Sequence, residues 1–352
     1  MSAAPPLSPV RSGLPCLPEA VDDFLSQPGP RVSDVIARTP GPFLVLGAGG
    51  KMGLHLSVML RRALDQLGRQ DRVVAVSRFR TLRDRAAFDR RGIETHPCDL
   101  AEPASLDLVP EAPTVFFLAG VKFGTAAAPG LLRATNVEMP QRVAAKFQRS
   151  RIVAFSSGCV YPFVTAASGG ATEETAPDPP GEYAASCLAR EQAFTAVSRQ
   201  RGTPVALIRL NYSVEFRYGV LVDLAEMVWR GQPVDVTTGY VNVIWQTDAV
   251  AHSIQALDAA ASPPVPLNVT GRDILPVRDL AHRFGAALHR PVQITGVEAD
   301  TAWLNNAARA HALFGPPRTP VDTMIEWIAE WLRRGGGTWG KPTGFGRRDG
   351  RF

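Results

Sequence analysis

From Pro42 onward the chain alternates short apolar runs with longer stretches in which apolar positions recur every third or fourth residue. The short runs predict buried strands over Phe43–Leu46, Val73–Val76, Ile93–Pro97, Thr114–Leu118, Ile152–Ser156 and Val205–Leu210. Between the first two, Met52, Leu56, Met59, Ala63 and Leu67 mark one face of a helix that Gly68 ends. Strands separated by helices predict an α/β fold with a doubly wound parallel sheet. After about residue 212 the alternation loosens. The pattern there predicts helices over Gly219–Arg230, Asp248–Ala259, Val277–Leu288 and Thr319–Arg334, with a strand-like stretch at Tyr240–Trp245.

The first strand runs into Gly47-Ala48-Gly49-Gly50-Lys51-Met52-Gly53 and then into the first helix. Strand, glycine turn and helix in that order are what a dinucleotide site needs. Gly47 makes the tight turn, Gly50 lets backbone approach a pyrophosphate, and Gly53 lets helix pack on strand. The helix N-terminus supplies free amide donors for the phosphates, with Gly49, Lys51 and Met52 in the same loop. These features predict a Rossmann-type domain. At the end of the second strand, Ser77 and Arg78, with Arg80 close behind, suit the 2′-phosphate of NADP better than the bare ribose of NAD. A solvent-facing Arg78 is the alternative. Asp99 and Leu100 follow the third strand where adenine is contacted, although Asp99 also suits a helix N-cap. Ala119 and Gly120 end the fourth strand beside the same crevice.

On this reading residues 1–40 form an N-terminal arm, with helical candidates at Glu19–Ser26 and Ser33–Arg38. Residues 41–212 form the NAD(P)-binding Rossmann domain, 213–334 a smaller substrate lobe interleaved with it, and 335–352 a Gly-rich tail. Trp339, Phe345 and Phe352 in that tail are candidates to cover the crevice or a neighbouring subunit. The net charge of +5 arises from 38 basic and 33 acidic residues scattered along the chain, which points away from nucleic acid. Cys16, Cys98, Cys159 and Cys187 show neither metal-ligand spacing nor a disulfide framework, so free thiols in a reducing cytoplasm are expected. The histidines show no ligand spacing either, and His252 reads as a helix-surface residue. With prolines interrupting the start and no run of about 18 apolar residues, a cytoplasmic protein without membrane contact is expected.

Ser156-Ser157-Gly158-Cys159-Val160-Tyr161 ends a strand, and Tyr183 with Ser186 sits on the following helix. With the glycine loop, Asn136-Val137, Arg209-Leu210-Asn211, Asp248 and Leu267-Asn268-Val269-Thr270-Gly271, these runs resemble the extended short-chain dehydrogenase/reductase family, which includes nucleotide-sugar epimerases and dehydratases. The resemblance spans roughly residues 42–330. It implies that Tyr183 exchanges a proton with the substrate alcohol or carbonyl, that Ser157 orients the same oxygen, and that a nicotinamide exchanges the hydride. It also implies a helix asparagine at Asn136 and a homodimer made through helices near 136–149 and 183–200.

One position departs from the family. The lysine expected one helical turn after the tyrosine is Cys187. A free tyrosine titrates near ~10, so loss of the ammonium leaves the phenol a poor base at neutral pH. Carbonyl reduction, which needs a neutral phenol, tolerates that loss better than alcohol oxidation. Lys122, after the fourth strand in Leu118-Ala119-Gly120-Val121-Lys122-Phe123-Gly124, is a candidate replacement, an exposed loop lysine being the alternative. Arg209, Asn211, Tyr212 and Arg217, beyond the Val205–Leu210 strand, are candidate contacts for a small polyhydroxylated or anionic substrate. Glu173 and Glu174 are candidate acids or bases, or members of a solvated loop. Two functions remain open: an NAD(P)-dependent oxidoreductase or epimerase/dehydratase-type enzyme, and a non-catalytic NAD(P)-binding sensor on the same fold.

Overall fold

The computed structural model describes residues 14–15, 17–80, 84–123 and 129–348. Cys16, the proline-rich start, Gly124 and Phe352 lie outside the described residues. Seven strands form one parallel sheet: β1 Phe43–Leu46, β2 Val73–Ser77, β3 Glu94–Pro97, β4 Thr114–Phe117, β5 Arg151–Ser157, β6 Val205–Leu210 and β7 Pro266–Val269. Their order across the sheet is β7-β6-β5-β4-β1-β2-β3. The chain runs outward from β1 to β3, then returns to β4 and runs outward the other way. That reversal, between β1 and β4, is the switch point where the C-terminal ends of parallel strands open a crevice.

All four β1 residues are buried, because a parallel sheet covered by helices hides both faces. Phe43 and Val45 join one apolar layer, and Leu44 and Leu46 the other. Among the described residues two helices precede β1, α1 Pro18–Phe24 and α2 Pro30–Arg38. The layer under Phe43 is closed by α2 and by α3 Gly53–Gln66. The opposite layer is closed by α4 Met139–Lys146 and α5 Gly181–Arg201. A third apolar cluster lies under α6 Val220–Trp229, α8 Val277–Leu288 and α9 Val321–Arg333, with α7 Gln246–Gln255 returning to the first layer. Among the described residues no helix is long and apolar enough to cross a membrane.

The segment ahead of β1 is packed into the body: Val21, Leu25, Val32, Val35 and Ile36 are all buried. Asp22 accepts from the Arg217 guanidinium at 2.8 Å and lies 2.9 Å from His55 Nε2. His252 is buried rather than on a helix surface, its ring set against His311 and Phe314. Both of those residues belong to a short helix, Ala308–Phe314, which packs on α7 and covers the face that the sequence pattern leaves open. Beyond α9, the tail doubles back over the C-terminal ends of the strands. Phe345 is buried there, and Trp339 stacks on Tyr218 with ring centroids 5.7 Å apart.

Candidate active site

The glycine loop is built from both sides. Gly47 turns the chain at φ +85°, and its amide and that of Ala48 donate to the Val76 carbonyl at 2.8 and 3.1 Å, tying the loop to β2. A Cβ at Gly47 would lie 2.5 Å from the Ala119 amide nitrogen, and one at Gly49 would lie 2.5 Å from Ser77 Oγ. At Gly53 a Cβ would overlap the Ala48 backbone where α3 begins. These glycines bring backbone to within contact of β2, β4 and α3 at the switch point. The result is a groove of about 400 Å³. Gly47, Gly49, Gly50, Ser77, Arg78, Asp99, Leu100, Ala119 and Gly120 all line it. Arg78 and Asp99 face each other across one end at 3.7 Å, both largely exposed, and the Asp99 carboxylate also accepts from the Ala101 amide. An elongated groove with bare backbone on one wall and a helix N-terminus at its side fits a nicotinamide dinucleotide.

Lys51, Met52 and the hydroxyl-bearing residues line a second cavity instead. It measures about 220 Å³ and brings together Lys51, Met52, Lys122, Ser157, Tyr183, Asn211 and Tyr212. Ser157 ends β5 and accepts from the Cys159 amide at 3.3 Å. Tyr183 stands on the first turn of α5, whose N-terminus follows Pro179 and Pro180. Burial pushes its phenol well above the ordinary tyrosine range, and negative charge on Cys187 and Cys159 adds to the effect. The Cys159 thiol and the Tyr183 hydroxyl both hydrogen-bond Cys187. The hydrogen bond from Cys159, ahead of the Arg190 charge, lowers the Cys187 thiol to about 7 despite its burial. Cys159 moves the opposite way, upward, because it donates to Cys187 and is itself buried.

Lys122 is not an exposed loop residue. Its ammonium lies 5.8 Å from the Tyr183 ring centre and donates to the Thr343 carbonyl at 3.3 Å, and burial pulls its pKa down. Asn136 acts one layer back. It sits fully buried on a π-helical turn, Ala134–Glu138, where it exchanges two 2.9 Å hydrogen bonds with the Val121 main chain and donates to Ser186 Oγ at 2.9 Å. Asn136 therefore holds the loop that carries Lys122 against the helix that carries Tyr183.

Arg209 and Arg217 do not line the cavity. Arg209 makes a two-pronged ion pair with Glu191 at 2.7 and 3.0 Å and donates to the Tyr161 hydroxyl at 2.7 Å. Ser156 donates to the same Glu191 carboxylate at 2.6 Å, so this network braces β5, β6 and α5 from behind. Arg217 is held by Glu215 and Asp22. A guanidinium with its donors already committed to buried carboxylates has little left for a substrate. Asn211 does reach the cavity, donating to Asn242 Oδ1 and the Trp303 carbonyl. Glu173 accepts from the Asn268 amide and Glu174 pairs with Arg309; neither lines the cavity.

Arg190 was not singled out by sequence reasoning. It lies two helical turns beyond Tyr183 and is buried, with Nη1 donating to the Phe155 carbonyl at 3.1 Å and Nε lacking a partner. A Cβ on Gly120 would lie 2.5 Å from its Nη2, so glycine there makes room for the guanidinium. The available signal was spacing: residues seven apart share a helix face. Cys159, Tyr218, Trp303 and Thr343 also line the cavity, from segments far apart in the sequence.

Fold, groove and cavity define a dinucleotide-binding α/β protein. Residues 43–217 match the profile of the NAD dependent epimerase/dehydratase family, and this part of the chain belongs to that family. Solved structures extend the likeness of fold. MoeE5 in complex with UDP-glucuronic acid and NAD is 22% identical, with a TM-score of 0.67 over 84% of this chain and 100% of that one. The UDP-glucose 4-epimerase of Thermus thermophilus, in complex with NAD, is 18% identical, with a TM-score of 0.67 over 83% of this chain and 98% of that one. The UDP-glucuronic acid 4-epimerase of Bacillus cereus, in complex with NAD, is 15% identical, with a TM-score of 0.68 over 84% and 99%. No curated protein matches the chain.

Proposed function

We propose that the chain is an NAD(P)-dependent oxidoreductase of the epimerase/dehydratase type, with Tyr183 as proton donor to a substrate carbonyl oxygen and Ser157 as the group that orients it. The observation that carries this reading is the adjacency of two spaces at the switch point: a glycine-lined groove and a cavity holding both hydroxyls. Gly47, Gly49 and Gly50 would hold the pyrophosphate, with Ser77 and Arg78 at the adenosine ribose, which favours NADP. When bound, the nicotinamide supplies or accepts the hydride.

The chain's own residues handle the proton. Tyr183, held neutral by burial and by the anionic tendency of Cys187, donates to the oxygen as charge develops on it. Lys122 and Arg190 place positive charge near the phenol, Arg190 lowering the pKa that Cys187 raises. Together they stand in for the ammonium missing from position 187. This arrangement supports reduction as the favoured direction at neutral pH. The alternative, a non-catalytic sensor, would need no hydroxyl pair in the cavity.

The test is hydride transfer from NADPH and NADH to a panel of keto-sugars and keto acids, with wild type and Tyr183→Phe. Turnover abolished by the substitution, with NADPH binding retained, supports the enzyme. NADPH binding without turnover of any carbonyl favours the sensor.

A further inference from the structure

Two lysines face the catalytic cavity and do not line the dinucleotide groove. Lys51 belongs to the glycine loop by sequence, yet its ammonium turns away from the groove and sits 2.9 Å above the Tyr218 ring. It lies 5.2 Å from the Phe123 ring centre, and the Lys122 ammonium lies 5.3 Å from the same centre. Among the described residues no carboxylate comes within ion-pair distance of Lys51. Of the two acids whose charge acts on Lys51, Asp223 has one carboxylate oxygen committed to the Thr343 amide and hydroxyl, at 2.8 and 2.7 Å. Glu215 is engaged by Arg217. Burial disfavours charge on both ammonium groups, and an anion bound beside Lys51 would offset that cost.

The same contacts limit size. Asp223 fastens the tail at Thr343, and Thr343 and Gly344 form part of the cavity wall. Phe345 is buried behind them, its carbonyl accepting from Thr238 at 3.2 Å, and Arg348 pairs with Thr301. The space left is about 220 Å³, and part of it adjoins the glycine loop where a nicotinamide ring would lie. Pockets for drug-sized ligands run from about 300 to 1,000 Å³. That volume is too small to enclose a nucleoside diphosphate together with the reacting sugar while the tail stays fastened.

The geometry points to a small carboxylate-bearing substrate, a hydroxy or keto acid, whose anionic group sits between Lys51 and Lys122 beneath the C-terminal tail. This deepens the functional reading above and rests on it. The reacting oxygen then faces Tyr183 and Ser157, and the carboxylate faces the lysines. A proton accompanies the anion. Burial, with Lys122 and Lys341 close by, lowers Lys51 to about 7, against the opposing pull of Asp223 and Glu215. A bound carboxylate raises that value again, so binding weakens as pH climbs through and above the free value.

Glycerate and glyceramide differ only in carboxylate against amide. Titrating each into NADPH-saturated protein, with bound-NADPH fluorescence and calorimetry as readouts, tests the charge directly. Glycerate is expected to bind at least about tenfold more tightly. Lys51→Met and Lys122→Met should each remove the preference while keeping the thermal unfolding midpoint near wild type. Proton uptake near pH 7 should appear as a binding enthalpy that varies with the ionisation enthalpy of the buffer. Failure of glycerate to bind, equal affinity for the two compounds, or a preference kept in both variants overturns the inference. Tight binding of UDP-glucose to the NADPH complex overturns it as well. NADPH binding and Tyr183-dependent turnover are read separately: losing those defeats the functional reading, whereas keeping them without an anion preference defeats this inference alone.

Discussion

Gly47→Ala and Gly50→Ala separate what the glycine loop does for folding from what it does for binding. At Gly47 the backbone sits at φ +85°, which costs a residue with a side chain about 1–2 kcal/mol. The new methyl would also lie 2.5 Å from the Ala119 nitrogen and 2.6 Å from its Cα, both backbone atoms that cannot swing aside. Overpacking of that kind adds about 1–3 kcal/mol, so Gly47→Ala should lose about 2–5 kcal/mol of stability in urea denaturation. Gly50 is different. Its backbone is not left-handed, and a Cβ there would meet only the Gly47 carbonyl oxygen, at 3.3 Å. Stability should therefore stay within about 1 kcal/mol of wild type. Yet Gly50 lines the groove, and a methyl there would hold the pyrophosphate off the loop. Loss of a charge-assisted hydrogen bond of about 1.5–3 kcal/mol lowers NADPH affinity by about tenfold to a hundredfold. A folded Gly50→Ala protein that binds NADPH as tightly as wild type would refute the claim that the loop cradles phosphates.

Three further expectations follow from charge and burial. The neutral form of Tyr183 persists to high pH, so reduction should be steady through neutrality while alcohol oxidation rises toward alkaline pH; Arg190→Met should move the oxidation profile further upward and Arg190→Lys restore it, as pH–rate profiles in both directions will read. Arg209→Met leaves Glu191 buried without its cation and should cost about 3–5 kcal/mol of stability in urea, a loss that a mere substrate contact would not produce. His252, buried, has its pKa lowered from 6.5 to about 4, so the native state resists a proton that the unfolded chain accepts. Its contribution is intact above about pH 6.5 and drains away as pH falls through 4, a difference of about 3 kcal/mol that His252→Leu should abolish in denaturation measured at pH 7 and 4.

The framework was legible where the signal is local. Phe43–Leu46 and Val205–Leu210 are strands with the predicted ends, and Val277–Leu288 is a helix with the predicted ends, because apolar run and turn residue lie side by side. β7 escaped strand prediction because Pro266–Val269 opens on a proline and carries Asn268, a buried polar residue whose partner Tyr161 is distant in sequence. The residues ahead of Pro42 read as an arm because their prolines outweigh two short apolar faces. What packs them is α3, together with the Asp22 contacts to His55 and Arg217. The same limit governs the site. Position along the sheet marked Ser157, Tyr183 and the groove glycines, since each follows a strand or opens a helix. It marked Arg209 and Arg217 too, and no local pattern reveals that Glu191 and Asp22 already hold them. Tyr218, Thr343 and Trp303 reach the cavity only through the closing of the tail and the C-terminal lobe.

Equilibrium titration of the purified protein with NADPH and NADH, followed by fluorescence of the bound nicotinamide, tests the dinucleotide site most directly. Saturable binding of both is expected, tighter for NADPH and weakened toward the NADH value by Arg78→Ala. Absence of binding by either, in a protein shown to be folded, would contradict the assignment of the groove and every step of chemistry built on it.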